Sequence, residues 1–132
     1  MKFLLDTDIC IYALKQDPVV LRNLLSHQRA DVAISVLTEA ELRTGAARSH
    51  AAAKTLRLVE SFLQPINVLP FTSEDAAAYA SVRAKLERAG TPIGPLDTLI
   101  AAQAVARKLI LVSNNGREFG RVSGLRVENW AA

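Results

Sequence analysis

Phe3-Leu4-Leu5-Asp6-Thr7-Asp8 opens the chain with an apolar run that ends abruptly at two carboxylates. Consecutive apolar residues without alternation describe a strand buried on both faces. The acidic turn directly after it puts Asp6 and Asp8 at that strand's carboxyl end. Working outward, the same pattern recurs. Val32-Ala33-Ile34-Ser35-Val36, Ile66 to Leu69 and Leu109-Ile110-Leu111-Val112-Ser113 read as further strands, with a last one around Leu125 to Val127. Helical stretches lie between them. A short one runs from Ile9 to Lys15. Asp17-Pro18, a cap followed by proline at the first helical position, starts another that reaches about Gln28. A third runs from Thr38, its expected cap, to about Arg48. Leu56, Val59 and Leu63 form one stripe of a fourth. Thr72-Ser73-Glu74-Asp75 opens a long helix striped by Tyr79, Val82, Leu86 and Ala89, which Gly90 stops. The last spans about Asp97 to Lys108, with Leu99, Ala102 and Ala106 facing one way. Buried strands alternating with helices predict an α/β fold, a parallel sheet with helices on either side. In such sheets ligands bind beyond the carboxyl ends of the strands.

The composition narrows the function classes. The 132 residues fit one domain, residues 1–132, and half of them are hydrophobic, which excludes a disordered chain. The lone Cys10 excludes an internal disulfide and predicts a reducing, cytoplasmic setting. No run approaches the roughly 18 apolar residues of a membrane span, and the N-terminal apolar stretch is too short for a signal sequence. Sixteen basic against 13 acidic residues permit a polyanionic partner without demanding one. The chain has neither G-x-G-x-x-G nor a Walker A run, so no glycine loop cradles a phosphate. Aromatic residues are 5%, too few for a base-stacking platform.

The chemistry therefore rests on the acids at strand ends. Asp6 and Asp8 follow the first strand, and Glu41 lies in the helix after the second. Asp97 opens the helix before the fourth, and Ser113-Asn114-Asn115 with Glu118 follows the fourth. A parallel sheet can bring these to one edge. Two carboxylates 4 Å apart repel by about 4 kcal/mol at an effective dielectric near 20. Such a cluster calls for protonation or for divalent cations, and oxygen-only donors suit Mg²⁺ or Mn²⁺. Each acid also has a structural reading. Asp6, Asp8 and Asp97 can cap helices. Thr38-x-x-Glu41 spells a capping box. Glu118 can pair with Arg117 or Arg121. An Asp-x-Asp turn after the first strand also fits haloacid-dehalogenase-type phosphatases, but no paired-acid block follows downstream.

Leu4-Leu5-Asp6-Thr7-Asp8-Ile9-Cys10-Ile11-Tyr12 resembles the opening of PIN-domain ribonucleases, especially the VapC toxins of bacterial toxin–antitoxin pairs. Four further blocks fit in order. They are Ile34 to Thr38 with Glu41-Leu42 and Gly45, then Gly90 to Asp97, Ser113 to Phe119, and Val122 to Trp130. The resemblance implies a three-layer α/β/α sandwich around a parallel sheet of four to five strands. It implies Mg²⁺-dependent RNA hydrolysis, with Mn²⁺ as the alternative ion, Asp6 and Asp97 as direct metal ligands, and Glu41 and Glu118 completing the shell directly or through water. The chain departs from the family where Asn115 stands in place of a frequent aspartate and Asp8 in place of a commoner asparagine. Thr7, Asp8, Ser113 and Asn115 are expected around the ligands. Arg43, Arg48, Lys54, Arg57, Arg117 and Arg121 are candidate phosphate contacts, with Arg43, Arg48 and Arg117 foremost. A VapB-type antitoxin partner and a homodimer are also implied. A PIN-fold protein acting with its partner mainly as a DNA-binding repressor is the competing reading. Gathering four acids into one pocket leaves the remaining surface distinctly basic, which suits an RNA substrate.

Overall fold

A computed structural model describes residues 1–132. Five parallel strands form one sheet: β1 (Phe3–Leu5), β2 (Val32–Ser35), β3 (Asn67–Leu69), β4 (Ile110–Val112) and β5 (Val127–Glu128). Their spatial order is β3-β2-β1-β4-β5. Seven helices connect them: α1 (Thr7–Leu14), α2 (Pro18–Leu25), α3 (Val36–Arg48), α4 (Ala52–Leu63), α5 (Ser73–Arg88), α6 (Pro95–Arg107) and α7 (Gly116–Phe119). The chain winds outward from β1 through β2 to β3, then crosses back to β4 on the other side of β1. The winding direction therefore reverses between β1 and β4, where such sheets open a crevice.

The pleat explains why the central strands are almost wholly apolar. Phe3 and Leu5 join one core with Val32, Ile34 and Val112, under residues of α1 to α4 such as Ile9, Leu42 and Val59. Leu4, Ala33 and Leu111 point the opposite way, into a second core with Val82, Leu86, Ile100 and Phe119 of α5 to α7. Alternate residues thus feed two separate cores, which makes β1 and β4 wholly apolar; polar strand residues occur only at the end of β2 (Ser35) and on the edge strands β3 (Asn67) and β5 (Glu128). The expected three-layer sandwich is what forms. Cys10 is buried in the first core.

Local differences from the sequence reading have physical causes. Helix α3 starts at Val36, not Thr38: Ser35 is the cap and its hydroxyl accepts from the Leu37 N–H at 3.1 Å. Thr38 is then buried inside the first turn, so the Thr38–Glu41 capping box does not form. Helix α1 starts at Thr7, with Asp6 as its cap. Helix α6 starts at Pro95 behind Gly94, which leaves Asp97 within the first turn. Helix α6 is buried on more than one face, through Thr98 and the run Ile100 to Ala104, because it lies between the sheet and α5. The one-turn helix α7 carries too few residues to show a periodicity. Asp17 caps α2 as expected, accepting from the Val19 and Val20 N–H groups.

Candidate active site

Asp6 sits at the winding reversal. Its own N–H donates to the Val112 carbonyl at 2.8 Å, which ties the end of β1 to β4. Its side chain is 5% exposed. One carboxylate oxygen accepts from the Thr7 N–H at 2.9 Å and the other from the Ser113 hydroxyl at 2.9 Å. The Ser113 hydroxyl in turn accepts from the Asn115 N–H at 2.9 Å, which fixes its proton toward Asp6. From β2's side, α3 delivers Glu41, whose Oε1 takes a short hydrogen bond from the Thr7 hydroxyl. The Thr38 hydroxyl lies 3.2 Å from that of Thr7. A hydroxyl has one proton and a carboxylate only accepts, so Thr7 donates to Glu41 and accepts from Thr38. From the third side come Asp97 and Glu118. Glu118 accepts from the Gly94 N–H at 3.0 Å and from the Asn115 side-chain amide at 2.8 Å. A Cβ placed on Gly94 would lie 3.6 Å from an Asp97 oxygen and 3.9 Å from a Glu118 oxygen, so both carboxylates flank this one glycine.

The electrostatics follow from crowding. Burial, then the neighbouring Asp8 carboxylate, push Asp6 up to about 7, against the pull of Ser113 and Thr7. Burial, then Glu118, Glu41 and Asp8, raise Asp97 to about 6. Burial likewise raises Asp8. Glu118 moves the other way, because the Gly94 N–H and the Asn115 amide favour its ionised form. Burial and the nearby aspartates push the Cys10 thiol far up, which leaves it inert as a nucleophile. No three acidic, histidine or cysteine side chains already close on a common point. The donors that face the cleft are nonetheless all oxygens, several carry charge that burial disfavours, and one buried oxygen, Oδ1 of Asp8, has no hydrogen-bond partner. That donor chemistry fits a hard divalent cation with part of its water shell retained.

A model of the PIN domain matches residues 3–125. The tRNA(fMet)-specific endonuclease VapC of Shigella flexneri is 41% identical over 131 residues, covering 99% of both chains. The chain belongs to the PIN-domain family of VapC ribonucleases. Two solved PIN-domain complexes show the same fold. The DNA-bound VapBC of Salmonella typhimurium superposes with a TM-score of 0.94 at 40% identity, over 98% of each chain. VapBC2 of Rickettsia felis, bound to a DNA fragment from its promoter, gives 0.91 at 34% identity over 98% of this chain and 99% of that one.

Of the residues expected around the PIN cleft, Asp6, Thr7, Asp8, Glu41, Asp97, Ser113, Asn115 and Glu118 meet at the carboxyl edge of β1 and β4. Asn115, which stands where the family often has an aspartate, donates its side-chain amide to Glu118. The arginines divide. Arg117 is exposed on α7, one residue from Glu118. Arg48 is exposed at the end of α3. Arg43 is held by Glu39 at 2.7 Å and stands among Glu60, Ser61 and Gln64 near the end of α4. That contact engages the Arg43 guanidinium within its own helix, one turn from Glu39. Sequence reading missed the Gly94 N–H and Thr38. A backbone donor carries no residue-type signal, and Thr38 read as a cap.

Proposed function

We propose that this VapC-type protein is a Mg²⁺-dependent endoribonuclease toxin, with Mn²⁺ able to replace Mg²⁺. Asp6 and Asp97 hold the ion directly, and Glu41 and Glu118 complete its shell directly or through water. The observation that carries this reading is the mutually repelling set of carboxylates at the winding reversal, Asp6 buried and the others partly so. A bound divalent ion makes water a better nucleophile and offsets charge on the leaving oxygen. The protein's own groups do the positioning. Ser113 and the Thr7 N–H aim both oxygens of Asp6. The Thr7 hydroxyl turns Glu41 inward. The Gly94 N–H and Asn115 keep Glu118 ionised and fixed. In this reading the exposed Arg117, beside Glu118, and the exposed Arg48 contact phosphates of the RNA backbone.

The relative named as tRNA(fMet)-specific supports initiator tRNA as the substrate, a structured RNA recognised by shape rather than by stacking. The VapBC complexes support a VapB-type partner; in our reading that partner is an antitoxin that blocks the site, and the chain forms a homodimer within the larger assembly. DNA in those complexes also supports promoter binding by the toxin–antitoxin pair, as a second role beside cleavage. The free, buried Cys10 fits a cytoplasmic setting, and no helix is long and apolar enough to cross a membrane.

The test is purified, antitoxin-free protein incubated with total RNA and Mg²⁺. Wild type should cleave one tRNA at a defined position, read by mapping the new 3′ ends. If Asp6→Asn cleaves as wild type does, or if added chelator changes nothing, the nuclease assignment is wrong.

A further inference from the structure

The C-terminal tail reaches the acidic edge of the cleft through a chain of hydrogen bonds that the catalytic reading does not use. Asp8 Oδ2 accepts from the Asn114 N–H at 3.0 Å. Asp8 Oδ1 is buried and has no partner. The Asn114 side-chain amide donates to the Tyr12 hydroxyl of α1 at 3.1 Å. The Asn114 side-chain carbonyl accepts from the Asn129 amide at 2.8 Å. Asn129 in turn accepts from the Ala131 N–H at 2.9 Å. The adjacent Trp130 anchors this turn. It is 4% exposed, stacks on His27 at 4.5 Å with a 7° interplanar angle, and its carbonyl accepts from the Asn23 amide at 2.9 Å.

Asn114 is an exposed loop residue, yet both ends of its side chain and its backbone N–H are engaged. A loop residue tied to α1 on one side and to the tail on the other has little freedom to drift, and its N–H is what orients Asp8. With Oδ2 occupied, the buried Oδ1 is the one oxygen of Asp8 left without a donor. A water of a cation's hydration shell is such a donor.

We propose that Asn114 and Asn129 are positioning residues: braced by the docked tail, they hold Asp8 so that its free oxygen receives water bound to the metal. This rests on the metal-site reading above and extends it to residues outside the four acids. Losing an outer partner of this kind weakens metal affinity on the order of tenfold.

The experiment is calorimetric titration of the purified full-length chain with Mn²⁺ alone, with Trp130 emission recorded on each sample as a check that the tail stays docked. Asn129→Ala should bind Mn²⁺ about tenfold more weakly than wild type. Asn129→Asp should restore affinity to within about twofold. The Asn114 amide can flip, donating to the new carboxylate while Tyr12 donates to its carbonyl, so every bond is kept with reversed polarity. Asn114→Ala should match Asn129→Ala, and the smaller change Tyr12→Phe should fall between that variant and wild type. A tail that undocks in Asn129→Ala shifts Trp130 emission to the red, and Asn114→Ala then decides. Wild-type affinity in Asn114→Ala overturns the proposal while leaving the metal site standing. Equal weakening by Asn129→Asp and Asn129→Ala also overturns it. Absence of Mn²⁺ binding by wild type overturns both the proposal and the metal reading.

Discussion

Asp6 and Asp75 are both buried aspartates in one small protein, and they behave in opposite ways. Asp6 faces Asp8 and Asp97, with one hydroxyl and one backbone N–H for compensation, and its carboxyl is pushed up to about 7. Asp75, in the first turn of α5, is fully buried. Burial pulls its carboxyl upward too, but Arg107, the Thr72 N–H and the Gln103 amide outweigh that pull and hold it below its ordinary value. Arg107 of α6 reaches it at 3.1 Å, and Arg107 and Gln103 both also donate to the Pro70 carbonyl. At one site the carboxylate itself is fully compensated, though Gln103 Oε1 beside it is buried without a partner, and the site clamps the start of α5 to α6. The other lacks cationic partners, so its cost is relieved only by something from outside. Burial does not tell a structural aspartate from a functional one; the groups that face it do.

The largest contrast should appear in activity. Asp6→Asn removes a ligand and should lower RNA cleavage by at least about a thousandfold, the rate equivalent of several kcal/mol of lost charge stabilisation. Its circular dichroism spectrum and melting curve should remain those of a folded protein. Arg107→Ala should do the reverse. It strands the Asp75 charge in the core and should cost about 3 kcal/mol in urea unfolding. Cleavage per folded molecule should be unchanged.

The pH dependence sharpens the same distinction. Asp75 is depressed in the fold, so its ionised form adds stability above its unfolded value, near 4, and that stability is lost as pH falls through the folded value. Wild type and Arg107→Ala should therefore differ most in urea midpoint near neutral pH and converge in acid. Convergence at high pH instead would mean that Asp75 is not the group Arg107 serves. A smaller effect is expected from Gly94→Ala. The added methyl would make ordinary contact with Asp97 and Glu118. Stability should hardly move, while crowding of the cleft should lower cleavage about tenfold, or roughly 1.4 kcal/mol. Smallest is Ser35→Ala, which removes the cap of α3. It should cost about 1 kcal/mol of stability and no chemistry.

These two aspartates also mark where the sequence was legible. The apolar strands and intervening helices were readable because a doubly covered sheet selects apolar residues on both faces of its central strands, as Leu4, Ala33 and Leu111 show on one face and Leu5, Ile34 and Val112 on the other. The acids at the carboxyl edge were readable because β1 and β4, though far apart in sequence, end side by side. Asp75 read only as part of a capping run, since its partners Arg107 and Gln103 lie on another helix and share no local pattern with it. Thr38 read as a cap because Val36 was assigned to the strand, whereas it begins α3 and leaves Ser35 as the cap. The bonds among Tyr12, Asn114 and Asn129 join α1, the loop after β4 and the C-terminal tail, and for the two exposed loop asparagines periodicity carries no information.

The central claim is that the repulsion around Asp6 is relieved by a divalent cation. The direct measurement is the melting temperature of the chelator-treated protein before and after adding Mg²⁺, for wild type, Asp6→Asn, Asp97→Asn and Arg107→Ala. Mg²⁺ should raise the melting temperature of wild type and Arg107→Ala by similar amounts and leave both aspartate variants nearly unmoved. An equal rise in all four proteins, or none in wild type, would contradict the account.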